Sequence, residues 1–406
     1  MSRLFRSVLI GATALATLAG CATDQGVRTV GQRPEALDTT EASLWYQMDQ
    51  MEESLLTSGR LLEDPALNAF VTDLVCRIGG EYCADIRVYV LDSIDFNAMM
   101  APNGMMLVNS GLLLRASSED ELAFVLGHEM AHFVENHALE QRNANRNAAV
   151  TAAIVGSVIS VGVAASTGVA PGQGYSGTSG SIATALAYGG AFSYSREREA
   201  EADRIGVELI AEAGLDPTAA PRIWTNLLDE LKASDDERRA RRADRGGMYR
   251  THPLIQQRID TLSEQTASMA MIEPRTAELD AVVSPHLKDW LDAQIALRDY
   301  GSSLFLIDRR LETGGHEGIL HAARGRVLAM RGEEGDREAA LAAYQAATQY
   351  DDVPADTYRL MGEAYRQAGE PAAAATAFTT YLELDPNARD ARLVERLIET
   401  LSGENS

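Results

Sequence analysis

Two histidines four residues apart, with an acid directly after the first, stand in the segment His128-Glu129-Met130-Ala131-His132. On a helix the two imidazoles project from one face and can grip a single metal ion. Glu129 lies about 100° further round, where it can reach a water at the metal without taking a coordination position. Nitrogen ligands that hold a metal, together with a carboxylate that takes and returns a proton, are what zinc-assisted peptide hydrolysis requires. An amphipathic helix with two surface histidines would show the same five residues, so a third ligand decides between the readings.

A hydrolytic zinc takes three protein ligands and keeps its fourth position for water. His137 is the nearest further histidine, but it falls five residues after His132. The metzincin pattern needs a glycine three residues on and a histidine six residues on. Glu135 and Ala138 occupy those positions, so that class is excluded. The better candidate lies in the run Ser195-Arg196-Glu197-Arg198-Glu199-Ala200-Glu201-Ala202-Asp203. Glu199 and Asp203 share a helix face, and Ala202 leaves room for a close helix approach. Glu199 as ligand, with Asp203 accepting the other ring N–H of a ligand histidine, is a physically complete arrangement. Without the histidine pair, the same run would read as a charged, solvated helix.

His-Glu-x-x-His followed some seventy residues later by Glu-x-x-Ala-Asp resembles the gluzincin metallopeptidases of the HtpX and BepA type. Three further segments carry the resemblance: Leu62 to Val71, Asn97 to Leu113, and Thr251-His252-Pro253 followed by Arg258-Ile259. Together they span roughly residues 40 to 265. The resemblance implies one zinc per chain on His128, His132 and Glu199, with Glu129 as the catalytic carboxylate. Glu201 is the alternative ligand should the register differ. Glu129 would deprotonate the attacking water and pass the proton to the departing amine. His252 is either a donor to the oxyanion or, as the resemblance implies, a fourth zinc ligand that keeps the enzyme latent. Turn chemistry of a His-Pro loop is the third possibility.

The chain begins with a basic run, Met1 to Arg6, then an apolar run from Ser7 to Leu18, then Leu18-Ala19-Gly20-Cys21. This reads as a secretory signal of residues 1–20, too short for a membrane span. Its ending resembles a bacterial lipobox, which makes Cys21 the lipid-modified mature N-terminus. Ala22 in place of Asp points to the outer membrane. Residues 21–40 are polar and read as a tether. In an oxidising periplasm, Cys76 and Cys83 form a reasonable disulfide across a small loop.

A formal net charge of −23 argues against nucleic acid, whose phosphates need a basic face. It equally disfavours docking on anionic lipid, so membrane contact should come through the lipid on Cys21. Ile86 to Leu91 and Met105 to Val108 read as strands, separated by the turn Pro102-Asn103-Gly104. The rest is helical, which predicts a mainly α protease domain of zincin type with a small sheet of three or four strands, over 41–270. Between Arg146 and Arg196 stand 49 residues without a charge. Residues 148–194 read as a helical hairpin with a loop at 170–181, packed over the cleft or touching membrane.

An all-α region, 271–406, should follow. Tyr358, Met361, Gly362, Tyr365, Ala374, Phe378 and Pro386 match the tetratricopeptide spacing, and a weaker unit runs from Leu320 to Asp352. Helix pairs of this kind make concave protein-binding surfaces. The expectation is therefore a zinc endopeptidase at the periplasmic face of the outer membrane, acting on unfolded or misassembled envelope proteins. Its repeats would dock substrates or outer-membrane assembly machinery. The rival from another class is a chaperone or adaptor with a latent metal site. A prenyl-protein protease is disfavoured, because its multi-span chamber is missing. The anchor is testable directly: a clickable fatty acid should label the wild-type protein and miss Cys21→Ser. Label retained by the variant, or absent from wild type, would remove the lipoprotein reading.

Overall fold

The computed structural model describes residues 27–34, 39–144, 194–237 and 255–403. Cys21, residues 148–193 and the Thr251-His252-Pro253 loop therefore lie outside the described residues. The described chain is mainly helical with one three-stranded sheet, as its patterning predicts. Helix α1 (Thr40–Leu56) starts where the Thr39 side chain accepts the Ala42 N–H. Helix α2 (Pro65–Gly79) starts on Asp64, which accepts from Ala66 and Leu67, with Pro65 preset for the first turn. A disulfide joins Cys76 in its last turn to Cys83.

Strands β1 (Arg87–Leu91), β2 (Ala98–Met100) and β3 (Met105–Asn109) form a sheet in the order β1-β3-β2. β3 runs parallel to β1 and antiparallel to β2. Both faces are covered, which is why β3 reads Met-Met-Leu-Val without polar alternation. Ala98, Met100, Met106, Val108 and Val90 enter the main core with α2. The alternate residues Met99, Met105, Leu107 and Leu91 pack on Leu44, Met48, Met51 and Leu55 of α1. The sheet thus lies between α1 on one side and α2 with the motif helix on the other.

The motif helix, α4 (Glu119–Val134), follows the short α3 (Ser110–Arg115) and is buried from Glu119 to Phe133. Its N-terminus carries Glu119, Asp120 and Glu121, which suit the positive end of the helix dipole. Ser118 caps Glu121, and the Glu121 carboxylate accepts the Ser117 N–H. At the other end Arg28 is buried: its backbone N–H donates to Val134 O at 2.7 Å and its guanidinium to Phe133 O at 3.2 Å. The guanidinium also lies 4.1 Å from the Phe133 ring centroid.

Helix α5 (Arg196–Glu212) crosses α4 where glycine faces glycine. A Cβ on Gly206 would stand 3.0 Å from the His128 nitrogen, and one on Gly127 would stand 3.4 Å from Gly206 O. Helices α6 (Ala219–Lys232) and α7 (Ile255–Thr266) complete the surround of α4.

The later helices are α8 (Ala277–Val283), α9 (Leu287–Ala296), α10 (Tyr300–Thr313), α11 (Glu317–Arg331), α12 (Asp336–Ala347), α13 (Ala355–Gln367), α14 (Pro371–Leu384) and α15 (Ala391–Gly403). Two pairs meet through glycine: Gly325 of α11 lies under the Tyr344 ring of α12, and Gly362 of α13 under Phe378 of α14. The main core does not break near residue 270. It continues through Leu279, Val283, Trp290, Ile307, Leu320 and Val327. A buried polar network strengthens that junction. Arg115 pairs with Glu230 at 2.8 and 2.7 Å and donates to Gln294 at 2.9 Å, while Ser302 donates to Glu230 at 2.8 Å. Among the described residues, no helix is long and apolar enough to cross a membrane.

The glycine crossing gives a direct prediction. Gly206→Val must push α5 off α4, with an overpacking cost of about 1–3 kcal/mol in urea denaturation. Because Glu199 travels with α5, metal bound per chain should fall in the same variant. Unchanged stability and metal content would show that the crossing is not a constraint.

Candidate metal centre

One turn of α4 presents His128 and His132 on the same face, and α5 brings the Glu199 carboxylate against them. The two Nε2 atoms are 3.2 Å apart. Each lies 3.6 Å from an oxygen of Glu199. All three side chains are buried, and their ligand atoms lie within 4.8 Å of one another. A tetrahedral ion with bonds of about 2.0–2.1 Å separates neighbouring ligand atoms by about 3.3 Å. The observed edges match that figure. Two nitrogens and one carboxylate oxygen are also the donor set of hydrolytic zinc sites, so the residues present fit the ion.

Each histidine has its other nitrogen engaged. His128 Nδ1 lies 3.0 Å from Asp203 Oδ1, which accepts its proton and leaves the Nε2 lone pair facing the centre. Asp203 is held in turn by Arg258, through Nε at 2.8 Å and Nη2 at 2.5 Å. Burial alone would raise the Asp203 carboxyl, but the charge and hydrogen bonds of Arg258, with those of His128, hold it well below the usual carboxylate range. Arg258 lies over the Trp224 ring at 4.1 Å, in an apolar pocket that raises the cost of leaving either charge alone.

His132 Nδ1 lies 2.8 Å from Nδ1 of His137, a fully buried residue. Its ring is also stacked on Tyr194, with centroids 3.9 Å apart and planes 15° from parallel. Burial, and then the charges of Glu129 and Glu199, push the Tyr194 hydroxyl well above its ordinary value, so the ring stays neutral beside the site. On the far side, His137 Nε2 lies 3.2 Å from Glu201 Oε2. Burial, with the Arg198 charge beside it, pushes the His137 imidazole down to about 4, so it is neutral near pH 7.

Glu129 is buried next to the histidine cluster, and the Met100 N–H donates to its Oε2 at 3.3 Å. The end of β2 thereby fixes the carboxylate that α4 carries.

The structure brings His128, His132 and Glu199 together, sets Asp203 on His128, and places Glu129 beside them. Glu201, the alternative ligand in the sequence, points to Arg198 and His137 instead, with Arg198 Nη1 at 2.6 Å. His252 lies outside the described residues. Sequence reasoning missed Arg258 as a site residue, although it was visible after the His-Pro pair. It weighed His137 only as a ligand and did not foresee its contact with His132. The helix in fact stops at Val134, and Asn136 takes a left-handed conformation (φ 54°) that turns His137 back onto His132. The Glu135-Asn136 pair was the available signal, since asparagine tolerates that region better than most residues.

The Asp203–Arg258 pair yields a stability prediction for the metal-free protein. Arg258→Leu should cost about 3–5 kcal/mol in chemical denaturation, because a buried carboxylate loses its partner. Adding Asp203→Leu in the same chain should recover a large part of that loss. A double variant as unstable as the sum of the two single ones would show that the pair is not coupled.

Comparison with known proteins agrees with this geometry. The sequence profile described as Peptidase family M48 matches residues 61–266. The chain is similar to a beta-barrel assembly-enhancing protease of Yersinia pestis, 29% identical over 219 residues, covering 52% of this chain and 41% of the relative. It is similar to the beta-barrel assembly-enhancing protease of Escherichia coli strain K12, 25% identical over 234 residues, covering 57% and 45%. Over 144 residues it is 34% identical to the mitochondrial metalloendopeptidase OMA1 of Bos taurus, covering 34% of this chain and 26% of that one. The matched stretch spans less than half the length of each of these relatives.

Proposed function

The chain belongs to peptidase family M48, and from that premise we propose that it is a zinc endopeptidase of the bacterial envelope that cleaves misassembled outer-membrane or periplasmic proteins. The observation that carries the reading is the closed set of donors: His128, His132 and Glu199 at tetrahedral spacing, with Glu129 beside them. Names of relatives support the substrate class, since two of them are beta-barrel assembly-enhancing proteases.

Zinc held by His128, His132 and Glu199 supplies Lewis acidity toward a peptide carbonyl and acidifies water. Glu129 takes the proton from the attacking water and returns it to the departing amide nitrogen. The Met100 N–H donates to that carboxylate and orients it. Asp203 holds His128 in the tautomer that offers Nε2 to the metal, and Arg258 keeps Asp203 charged. Burial of the cluster strengthens each of these interactions relative to water.

The helix pairs from Leu287 to Leu384 form the docking region for protein substrates or assembly partners in this reading. A lipid on Cys21 would hold the enzyme at the outer membrane. Arg28 bears on that geometry, because its docking on the end of α4 leaves only six residues, 22–27, between the anchor and the folded domain.

The test uses the purified chain and an unstructured substrate such as casein. Glu129→Gln should bind zinc as wild type does and lose about 10²–10⁴-fold in turnover. His132→Ala should lose most of the metal. Wild-type turnover by Glu129→Gln would overturn the mechanism, and comparative proteomics of cells carrying it should show which envelope proteins accumulate.

A further inference from the structure

The two histidines of the site are supported differently. His128 Nδ1 meets a carboxylate directly, in Asp203. His132 Nδ1 meets a third histidine, His137, whose far nitrogen meets Glu201. We infer that His137 and Glu201 form a positioning relay that fixes the tautomer and ring orientation of His132, so that its Nε2 lone pair is presented to the metal. The inference rests on the reading of His132 as a zinc ligand, and neither relay residue touches the metal or the substrate.

Proton assignment runs inward from the carboxylate. Glu201 is an acceptor only, so the His137 nitrogen that faces it must carry the proton. Across the 2.8 Å contact between the two Nδ1 atoms one must donate and the other accept, and His137, with its proton on the Glu201 side, offers the lone pair. The only partner that fits is an N–H on His132 Nδ1. His132 is left with its lone pair on Nε2, the atom that lies 3.2 Å from His128 Nε2 and 3.6 Å from Glu199. The opposite assignment fails at both ends. It would set a bare His137 Nε2 against a carboxylate oxygen, and it would put a proton where the metal belongs.

The outer end of the relay is clamped as the Asp203 arm is. Arg198 donates to Glu201 at 2.6 Å and pairs on its other side with Glu140. Each ligand histidine is therefore backed by a carboxylate that an arginine keeps charged: Asp203 by Arg258, and Glu201 by Arg198. The extra histidine spans the gap that opens because α4 ends at Val134 and the chain turns at Asn136. Tyr194 closes the remaining face of His132 by stacking, which leaves ring rotation as the motion that the Nδ1 bond must stop.

The test reads the metal as well as activity. Zinc affinity is measured by chelator competition for wild type, His137→Leu, His137→Asn and His132→Ala, and the cobalt-substituted forms are compared by their visible absorption. His137→Leu removes the acceptor and should weaken zinc binding about 10- to 100-fold, with a shifted cobalt band and a lower kcat at similar KM. His137→Asn keeps an amide oxygen near the Nδ1 position and should restore affinity and spectrum towards wild type. A purely structural role would lower the melting temperature of the metal-free protein without moving the cobalt band. Should His137→Leu not fold, Glu201→Leu at the more exposed end of the relay carries the same expectation, with Glu201→Gln as its conservative partner. Wild-type affinity and spectrum in His137→Leu, or in Glu201→Leu where it stands in, overturn the relay while a zinc-free His132→Ala leaves the metal site standing. Full zinc in His132→Ala overturns both.

Discussion

The close crossing of α4 and α5 is the constraint on which the site depends. Glu199 is one carboxylate on a helix of its own, and it meets the two histidines only because the backbones touch at Gly127 and Gly206. A side chain at Gly206 would press on the His128 backbone, with its Cβ 3.0 Å from the backbone nitrogen, and force the helices to give. Ligand distances that match a tetrahedral ion tolerate little of that movement. Helix packing, usually a matter of stability, here sets the coordination geometry directly.

Bringing these side chains together creates a second demand. His128, Glu129, His132, Glu199, Asp203 and Arg258 are all buried within one region. Ionised groups in such a place are costly unless each has a partner. The structure answers with chains of partners rather than isolated pairs. Arg258 holds Asp203, which holds His128, while Arg198 and Glu201 stand behind His137 and His132. The backbone of β2 supplies the hydrogen bond that Glu129 receives from Met100. A sheet of three short strands thus serves the chemistry as well as the core.

Much of this was legible in the residues, for identifiable reasons. The histidine pair and the Glu199–Asp203 pair each lie within one helix, where periodicity alone decides which side chains share a face. Strands β1 and β3 and the turn Pro102-Asn103-Gly104 were legible because the turn residues are explicit and the strands apolar, while the three-residue β2 was too short to read. Arg258 was harder: it stands 55 residues from Asp203, and nothing local marks an arginine as buried rather than solvated. His137 was rightly not taken as a ligand, but its contact with His132 was hidden, because it depends on Asn136 ending the helix. The polar composition of residues 21–40 gave no sign that Arg28 would be buried. That burial depends on Phe133 and Trp45, which come from two separate helices. The shared core across residue 270 was equally hidden, since apolar periodicity reports that a helix face is covered but not by what.

Each end of α4 has a partner from beyond the stretch 61–266 that carries the family match. At the N-terminus, Asp120 accepts the Asp216 N–H at 2.9 Å and the Arg275 N–H at 3.0 Å, while Glu119 N–H donates to Arg275 O at 2.7 Å. At the C-terminus, Arg28 occupies the carbonyls of Phe133 and Val134, where a cation also suits the negative end of the helix dipole. A helix buried along its whole length gains nothing from solvent to hold its ends, so those orphan backbone groups need protein partners. The segments that supply them lead in one direction to Cys21 and in the other to the helix pairs that begin at Leu287. The helix that carries His128, Glu129 and His132 is therefore held at its two ends in part by segments outside the matched stretch, so its position depends on more of the chain than the site residues themselves.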